Sequence, residues 1–329
     1  MLSKKNMHVN LESLIGGHRK MVKRLLSAST SEVMQFNGQE LKESIKASEG
    51  RIIVSENIVT QENLDSITTA EIAAAFGADM ILCNRLDVYN PKIFGLYPGE
   101  RDLYSAPKHD GKASIARLQK LVGRPIGINI EPIGDHPKMM ENQISILPGC
   151  TASEAVIKKA EEMGFQFMVL TGNPGTGVTN AEIAHSIALA KTYFSGLIIA
   201  GKMHASGVDE PLMSEETAKR FIDAGADVIL APAVGSIPGF DEAALKAVVQ
   251  VVHRAGGLVM SAIGTSQEGS GSRVLQEMAI RNKICGVDMQ HVGDSAWGFE
   301  SPVDNLYAVS KAIRGERHTI QRMARSINR

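Results

Sequence analysis

The sequence predicts an α/β protein folded as a (β/α)8 barrel of the TIM type, with an N-terminal helical extension, and three observations carry that prediction. Short apolar, β-branched runs of strand length alternate with longer segments of helical periodicity, the sign of βα units joined into a parallel sheet. Eight such runs are present, more than the five or six strands commonly found in an open doubly wound sheet. The phrase Gly-Ala-Asp-x-Ile-Leu occurs twice, at Gly77–Leu82 and Gly225–Leu230. Both copies mark the same joint, where a helix ends on a glycine able to take the left-handed cap and a buried strand begins.

Residues 1–50 precede the first strand, carry helical patterns over Leu11–Ser27 and Gln39–Ala47, and are expected to cap the N-terminal mouth of the barrel. Residues 51–329 form the barrel itself, in one domain overall. Its strands are predicted at Arg51–Val59, Asp79–Asn84, Pro125–Ile133, Phe165–Thr171, Leu197–His204, Asp227–Val234, Leu258–Ile263 and Ile284–His291. The long connection after the second strand, Arg85–Gly111, carries Tyr89, Phe94, Tyr97 and Tyr104. A loop of that length with aromatic content is expected to be ordered, either closing over a ligand or burying against another subunit of a homo-oligomer. Thr179-x-x-Glu182 and Ser214-x-x-Thr217 mark helix starts, because a hydroxyl there accepts from the orphan NH groups of the first turn.

A chain of 329 residues, 43% of them hydrophobic, fits one such barrel. The formal net charge of −1, from 35 basic and 36 acidic residues, supplies no field that would draw nucleic acid or a lipid surface. The expected partner is therefore a small molecule. No signal-peptide pattern follows Lys4 and Lys5 and no apolar window is long enough to span a bilayer, so the expected compartment is the cytoplasm. Cys83, Cys150 and Cys285 show neither a disulfide nor a zinc spacing and are read as reduced thiols, two of them in strands.

In such a barrel chemistry gathers at the C-terminal ends of the strands, so the polar residues there are the candidates. They are Glu56 and Asn57, Asn84 and Arg85, Asn129 and Glu131, Thr171 and Asn173, Lys202 and His204, Ser261 and Thr265, and Asp288, Gln290, His291 and Asp294. Alternation along a strand puts residues two apart on one face, which pairs Asn129 with Glu131, Lys202 with His204 and Asp288 with Gln290. Lys202 stands out: a desolvated amine loses basicity and becomes a base or an imine-forming nucleophile. Glu56, Glu131, His204 and Asp288 are the candidate acids and bases, and Glu131, His204, Asp288 and His291 are the candidate ligands should a divalent metal take part. His136 sits in a turn near the mouth, whereas His185 and His253 fall in helical patterns.

After the seventh and eighth predicted strands the chain is rich in glycine and serine. Gly264, Thr265, Ser270, Gly271, Ser272, Arg273, Gly293 and Ser295 offer donors suited to a phosphate group, the usual place for one in this fold. Asn84, Asn129, Thr171, Asn173, Ser261 and Asp294 complete the expected substrate-binding set. No nucleotide cofactor is expected: Gly172–Val178 has Walker-like glycines but Val178 where the lysine belongs, and Gly269–Val274 lacks the third glycine of a dinucleotide fingerprint.

Thr171-Gly-Asn-Pro-Gly, Gly201-Lys-Met-His and Ala231-Pro-Ala-Val-Gly-Ser together resemble an uncharacterised bacterial family of barrel proteins encoded near phosphotransferase-system sugar permeases. The resemblance covers most of the chain. Members have been labelled haloacid dehalogenase-like hydrolases, but the strand-end Asp-x-Asp pair of that chemistry is absent here. The family context implies a phosphosugar ligand. The expected activity is thus that of a lyase, aldolase or isomerase of a phosphorylated carbohydrate. The alternatives are a metal-dependent hydrolase on the same barrel and a non-catalytic sugar-phosphate-binding partner of a transport system.

Overall fold

The structure is a computed structural model and describes residues 21–329 apart from 62, 63, 65, 101, 104 and 295–300. Eight parallel strands close into a barrel in chain order: β1 Ile52–Ile58, β2 Met80–Asn84, β3 Ile126–Ile130, β4 Phe167–Leu170, β5 Leu197–Gly201, β6 Val228–Pro232, β7 Leu258–Ile263 and β8 Met289–Val292. β1 pairs with β8 to complete the ring, Val54 standing opposite His291. The helices are α1 Thr30–Val33, α2 Gly38–Lys46, α3 Thr69–Ala75, α4 Gly111–Val122, α5 Glu154–Met163, α6 Asn180–Tyr193, α7 Glu215–Ala224, α8 Glu242–Arg254, α9 Ser272–Cys285 and α10 Asp304–Met323. Thr179 and Ser214 cap α6 and α7 as their positions predict, accepting from the backbone NH groups of Glu182 and Thr217.

The alternation of side chains splits the core into two layers. Ile52 and Val54, Met80 and Leu82, Phe167 and Val169, Leu197 and Ile199, and Met289 join one apolar cluster inside the barrel. The intervening Ile53, Ile81, Ile128, Met168, Ile198, Ile229 and Val259 join the layer beneath the helices. Gly127 is bare so that Phe167 can fill the interior, since a Cβ there would lie 2.3 Å from its ring. The inner cluster continues into Leu25, Leu26, Val33, Leu41 and Ile45. α2 approaches the N-terminal end of β5 closely, for a Cβ on Gly38 would meet the backbone of Gly196 at 2.7 Å.

Three expectations are corrected here. Ile284 and Cys285 close α9 rather than open β8, because Gly286 (φ 97°) takes the left-handed cap and the strand starts only at Met289. Only Cys83 lies in a strand, as Cys150 ends a 3-10 turn and Cys285 ends α9; all three are buried free thiols. The helix expected over Leu11–Ser27 falls largely outside the described residues, and its described part, 21–27, is irregular chain ending in a turn at 25–27 and not a helix.

The connection between β2 and α4 is irregular but packed. Tyr97 stacks on His109 at 3.6 Å, and its hydroxyl lies 2.9 Å from Ser114 of α4. Phe94 is buried, whereas Tyr89 is exposed and Tyr104 lies outside the described residues. No helix among the described residues is long and apolar enough to cross a membrane.

Candidate active site

The inward rows of the strands end in polar residues at the C-terminal mouth, and these converge on a cavity of about 480 Å³. Glu56 continues the row of Ile52 and Val54, Asn84 that of Met80 and Leu82, and Asn129 that of Gly127. Thr171 likewise follows Phe167 and Val169. All four line the cavity, with Arg85, Asn173, His204, Ser206, Thr265, Gly293 and Asp294. Glu56 Oε1 accepts from Asn84 Nδ2 at 2.5 Å. Asn84 Oδ1 in turn accepts from Asn129 Nδ2 and from Asn173 Nδ2, each at 3.1 Å. Asn173 gives Glu131 two hydrogen bonds, from its backbone N at 2.8 Å and from Nδ2 at 2.6 Å. Carboxylates thus stand at both ends of an asparagine network.

His291 lies fully buried behind Glu56, with Nε2 2.8 Å from Glu56 Oε2, near enough for an ion pair but off-line for a hydrogen bond. Burial pushes the Glu56 carboxyl up, but His291, Asn84 and the nearby His204 together outweigh that and hold it below its ordinary value. It is therefore ionised at neutral pH. His204 moves down to about 4, because burial and then the Lys202 charge disfavour its cation more than Glu56 favours it. A neutral His204 whose Nδ1 accepts from the Ser206 backbone NH at 3.0 Å carries its proton on Nε2 and is a hydrogen-bond donor. Among the described residues, Asn129 Oδ1, Thr171 Oγ1 and Ser206 Oγ on the cavity wall are buried without a hydrogen-bond partner. Buried polar groups are rarely left unsatisfied, and these lie together on the cavity wall.

Other candidates fall elsewhere. β5 ends at Gly201, whose missing Cβ would meet the Leu230 carbonyl at 1.9 Å, and the chain then turns. His204 reaches the cavity, but Lys202 stays on the outward row and does not line it, against the expectation that the two share a face. Its Nζ pairs with Glu210 Oε1 at 2.6 Å, and that same oxygen accepts from the backbone N of Asn180 at the start of α6. Burial lowers the Lys202 pKa and Glu210 opposes the change. The structure thus places Lys202, expected as a base or imine former, in an ion pair at the start of α6 and not on the wall of this cavity. Asp288 precedes β8, at the opposite end of the barrel, where it accepts from the Val259 backbone and pairs with His253 at 2.8 Å. It is neither a catalytic candidate nor a metal ligand of this cavity. Gln290 and Ser261 face α9, bonded to each other at 3.0 Å, with Asn282 also donating to Gln290.

Of the glycine-rich loops, Thr265, Gly293 and Asp294 reach the cavity, while Gly264, Ser270, Gly271 and Ser272 do not line it and Ser295 lies outside the described residues. Gly264 packs on Met203, Ser270 gives its carbonyl to Asn305, and Gly271 and Ser272 open α9. His136 is exposed and off the wall. Among the described residues no group of three or more His, Cys, Asp or Glu side chains gathers for a metal ion. Ser206, Glu141 and Glu268 on the wall escaped the sequence reading. Ser206 lies beyond the strand end on which that reading relied. Glu268 sits inside a loop read only for its backbone donors.

Fold and site define a TIM-type (β/α)8-barrel protein with an acidic, hydrogen-bonding cavity at the C-terminal mouth. Within that class the chain belongs to the family described as Domain of unknown function (DUF7916), which it matches over residues 26–329. No curated protein matches it. Among solved structures it is similar to the carboxyl transferase domain of Rhizobium etli pyruvate carboxylase, variant Y628A with pyruvate, at 13% identity and a TM-score of 0.53, covering 92% of this chain and 51% of that one. It is also similar to R. etli pyruvate carboxylase T882A with acetyl coenzyme A, at 13% identity and a TM-score of 0.52, covering 89% of this chain and 28% of that one. A third, 2,3-dimethylmalate lyase of the PEP mutase/isocitrate lyase superfamily, shares 14% identity at a TM-score of 0.46, covering 86% and 95% of the two chains. Likeness at these identities shows the barrel alone.

Proposed function

We propose that this protein is an enzyme of the lyase or isomerase type, moving a proton on the carbon beside the carbonyl of a small phosphorylated carbohydrate. The observation that carries the reading is the pairing of an ionised Glu56 with a neutral His204 on one wall of one cavity. An ionised carboxylate able to take a proton and a neutral imidazole able to donate from Nε2, both on one cavity wall, are suited to acid–base work. Glu56 takes the proton, the C–H electron pair becomes the new C=C bond, and the carbonyl π pair moves onto oxygen, where His204 Nε2–H stabilises it. Return of the proton to the former carbonyl carbon, with the hydroxyl proton of the adjacent carbon passing to the enolate oxygen, isomerises the substrate, whereas expulsion of a β-substituent with its bonding electron pair cleaves it. Neither route consumes an oxidant.

The unpartnered Asn129, Thr171 and Ser206 atoms suit substrate hydroxyls, and about 480 Å³ lies within the roughly 300–1,000 Å³ of small-molecule sites. The phosphate rests on the resemblance to a family encoded beside sugar permeases. The test is thermal unfolding against sugar phosphates of three to six carbons and their unphosphorylated sugars. An ester at about 100 times its dissociation constant stabilises the native state by about 2.7 kcal/mol, a readily measured rise in midpoint. A panel without any ester-specific rise removes the phosphosugar.

A further inference from the structure

A second cavity, of about 780 Å³, adjoins the first, and the two share Arg85, Asn173 and Pro174 as common wall. We infer that Arg85, which lines both chambers, seats the anionic phosphate of the substrate, so that the ester lies toward the second chamber and the reacting carbons at Glu56. The inference rests on the phosphosugar reading and moves its anion site away from the loops after β7 and β8.

Charge argues for this placement. Apart from His204, the ionisable side chains on the wall of the first cavity are Glu56, Glu141, Glu268, Asp294 and one cation, Arg85. The loops after β7 and β8 therefore bring the carboxylates Glu268 and Asp294 to the very sector where a phosphate was expected, and like charges repel there. The guanidinium of Arg85 has no hydrogen-bond or ion-pair partner among the described residues, and its fork fits a phosphate with two parallel bonds.

The backbone is built to hold it. Arg85 takes a left-handed conformation (φ 58°), sparsely populated by residues with a Cβ, and its NH donates to Asn84 Oδ1 at 2.8 Å. Asn84 is the residue that also holds Glu56. The backbone of exposed Arg85 and the carboxylate of Glu56 are thereby tied to a single side chain. On the far side the second chamber offers Thr60, Asn90 and Ser145 to the ester oxygens, and its ionisable lining adds the cation Lys92 to the carboxylates Asp87 and Glu131.

The test uses the full chain as wild type, Arg85→Gly and Arg85→Lys. Glycine accepts positive φ without strain, so Arg85→Gly removes the charge and keeps the fold, as an unchanged unfolding midpoint without ligand verifies. Calorimetric titration with inorganic phosphate and with fructose 6-phosphate is expected to show binding weakened at least tenfold in Arg85→Gly and partly restored in Arg85→Lys. Undiminished binding in Arg85→Gly overturns the Arg85 seat while leaving the phosphosugar reading in place. Arg85-dependent phosphate binding without turnover of any sugar ester sustains the seat and overturns that reading. A wild type that binds neither probe overturns the seat.

Discussion

His204 is neutral above about pH 4 and Glu56 is ionised at neutral pH, so the proposed acid–base pair holds its working charge state across the physiological range. Turnover per bound substrate is expected to stay level from about pH 6 to pH 8 and to fall only toward pH 4, which a pH–rate profile measures. The same shift affects stability. In the unfolded chain His204 binds a proton near its ordinary value of 6.5, whereas the folded protein resists protonation until about 4. The unfolded state therefore takes up more protons in that window, and the native state loses stability as pH falls through it, by on the order of 3 kcal/mol at most. Urea unfolding at pH 7 and pH 5 should show the drop in the wild type and a smaller one in His204→Gln. Lys202 carries the opposite expectation: paired with Glu210 off the cavity wall, it should yield no borohydride-trapped adduct with a carbonyl substrate, and peptide mass mapping checks this. Glu56, Asn84, Asn129, Thr171 and His204 were legible as strand-end residues. Lys202 was misplaced because composition does not say which of two alternating rows faces inward, and Asp288 because the strand was read as starting at Ile284, whereas β8 starts only at Met289.

At the scale of elements, α10 is held to the floor of the barrel by one buried acid. Asp79, at the start of β2, pairs with Arg314 at 2.6 Å and Arg322 at 2.7 Å, and it accepts from the Ile53 backbone at 2.9 Å. All three side chains are essentially inaccessible. Asp79→Ala would strand two guanidinium groups without their counter-charge, so an unfolding free energy lower by about 3–5 kcal/mol is expected from urea titration. Gly127→Ala forces a methyl against the Phe167 ring and should cost about 1–3 kcal/mol by overpacking. The second Gly-Ala-Asp copy supplies Asp227, whose carboxylate pairs instead with Lys42 of α2 and accepts from the Ile198 NH. The repeat thus announced a shared strand entry, and the partners of its acid became visible only in three dimensions. The boundary of α9 and β8 was misread because Ile284 and Cys285 are as apolar as a strand; the stop signal was Gly286.

For the whole molecule, eight repeats of strand and helix were enough to predict closure, because each strand must bury both faces and a ring leaves no edge. What the chain could not announce is how the loops of different strands meet. Ser206, Glu268 and the second chamber arise from segments far apart in sequence. The central claim is proton transfer by Glu56 at the C-terminal mouth. It is tested most directly by incubating wild type and Glu56→Gln with those sugar phosphates that stabilise the protein, in D2O, and following the substrate by proton NMR. The account predicts loss of the proton signal on the carbon beside the carbonyl with the wild type, slowed at least about a hundredfold in Glu56→Gln, in line with the usual contribution of a general base. A bound ester that exchanges no proton with the wild type, or exchanges it as fast with Glu56→Gln, would contradict it.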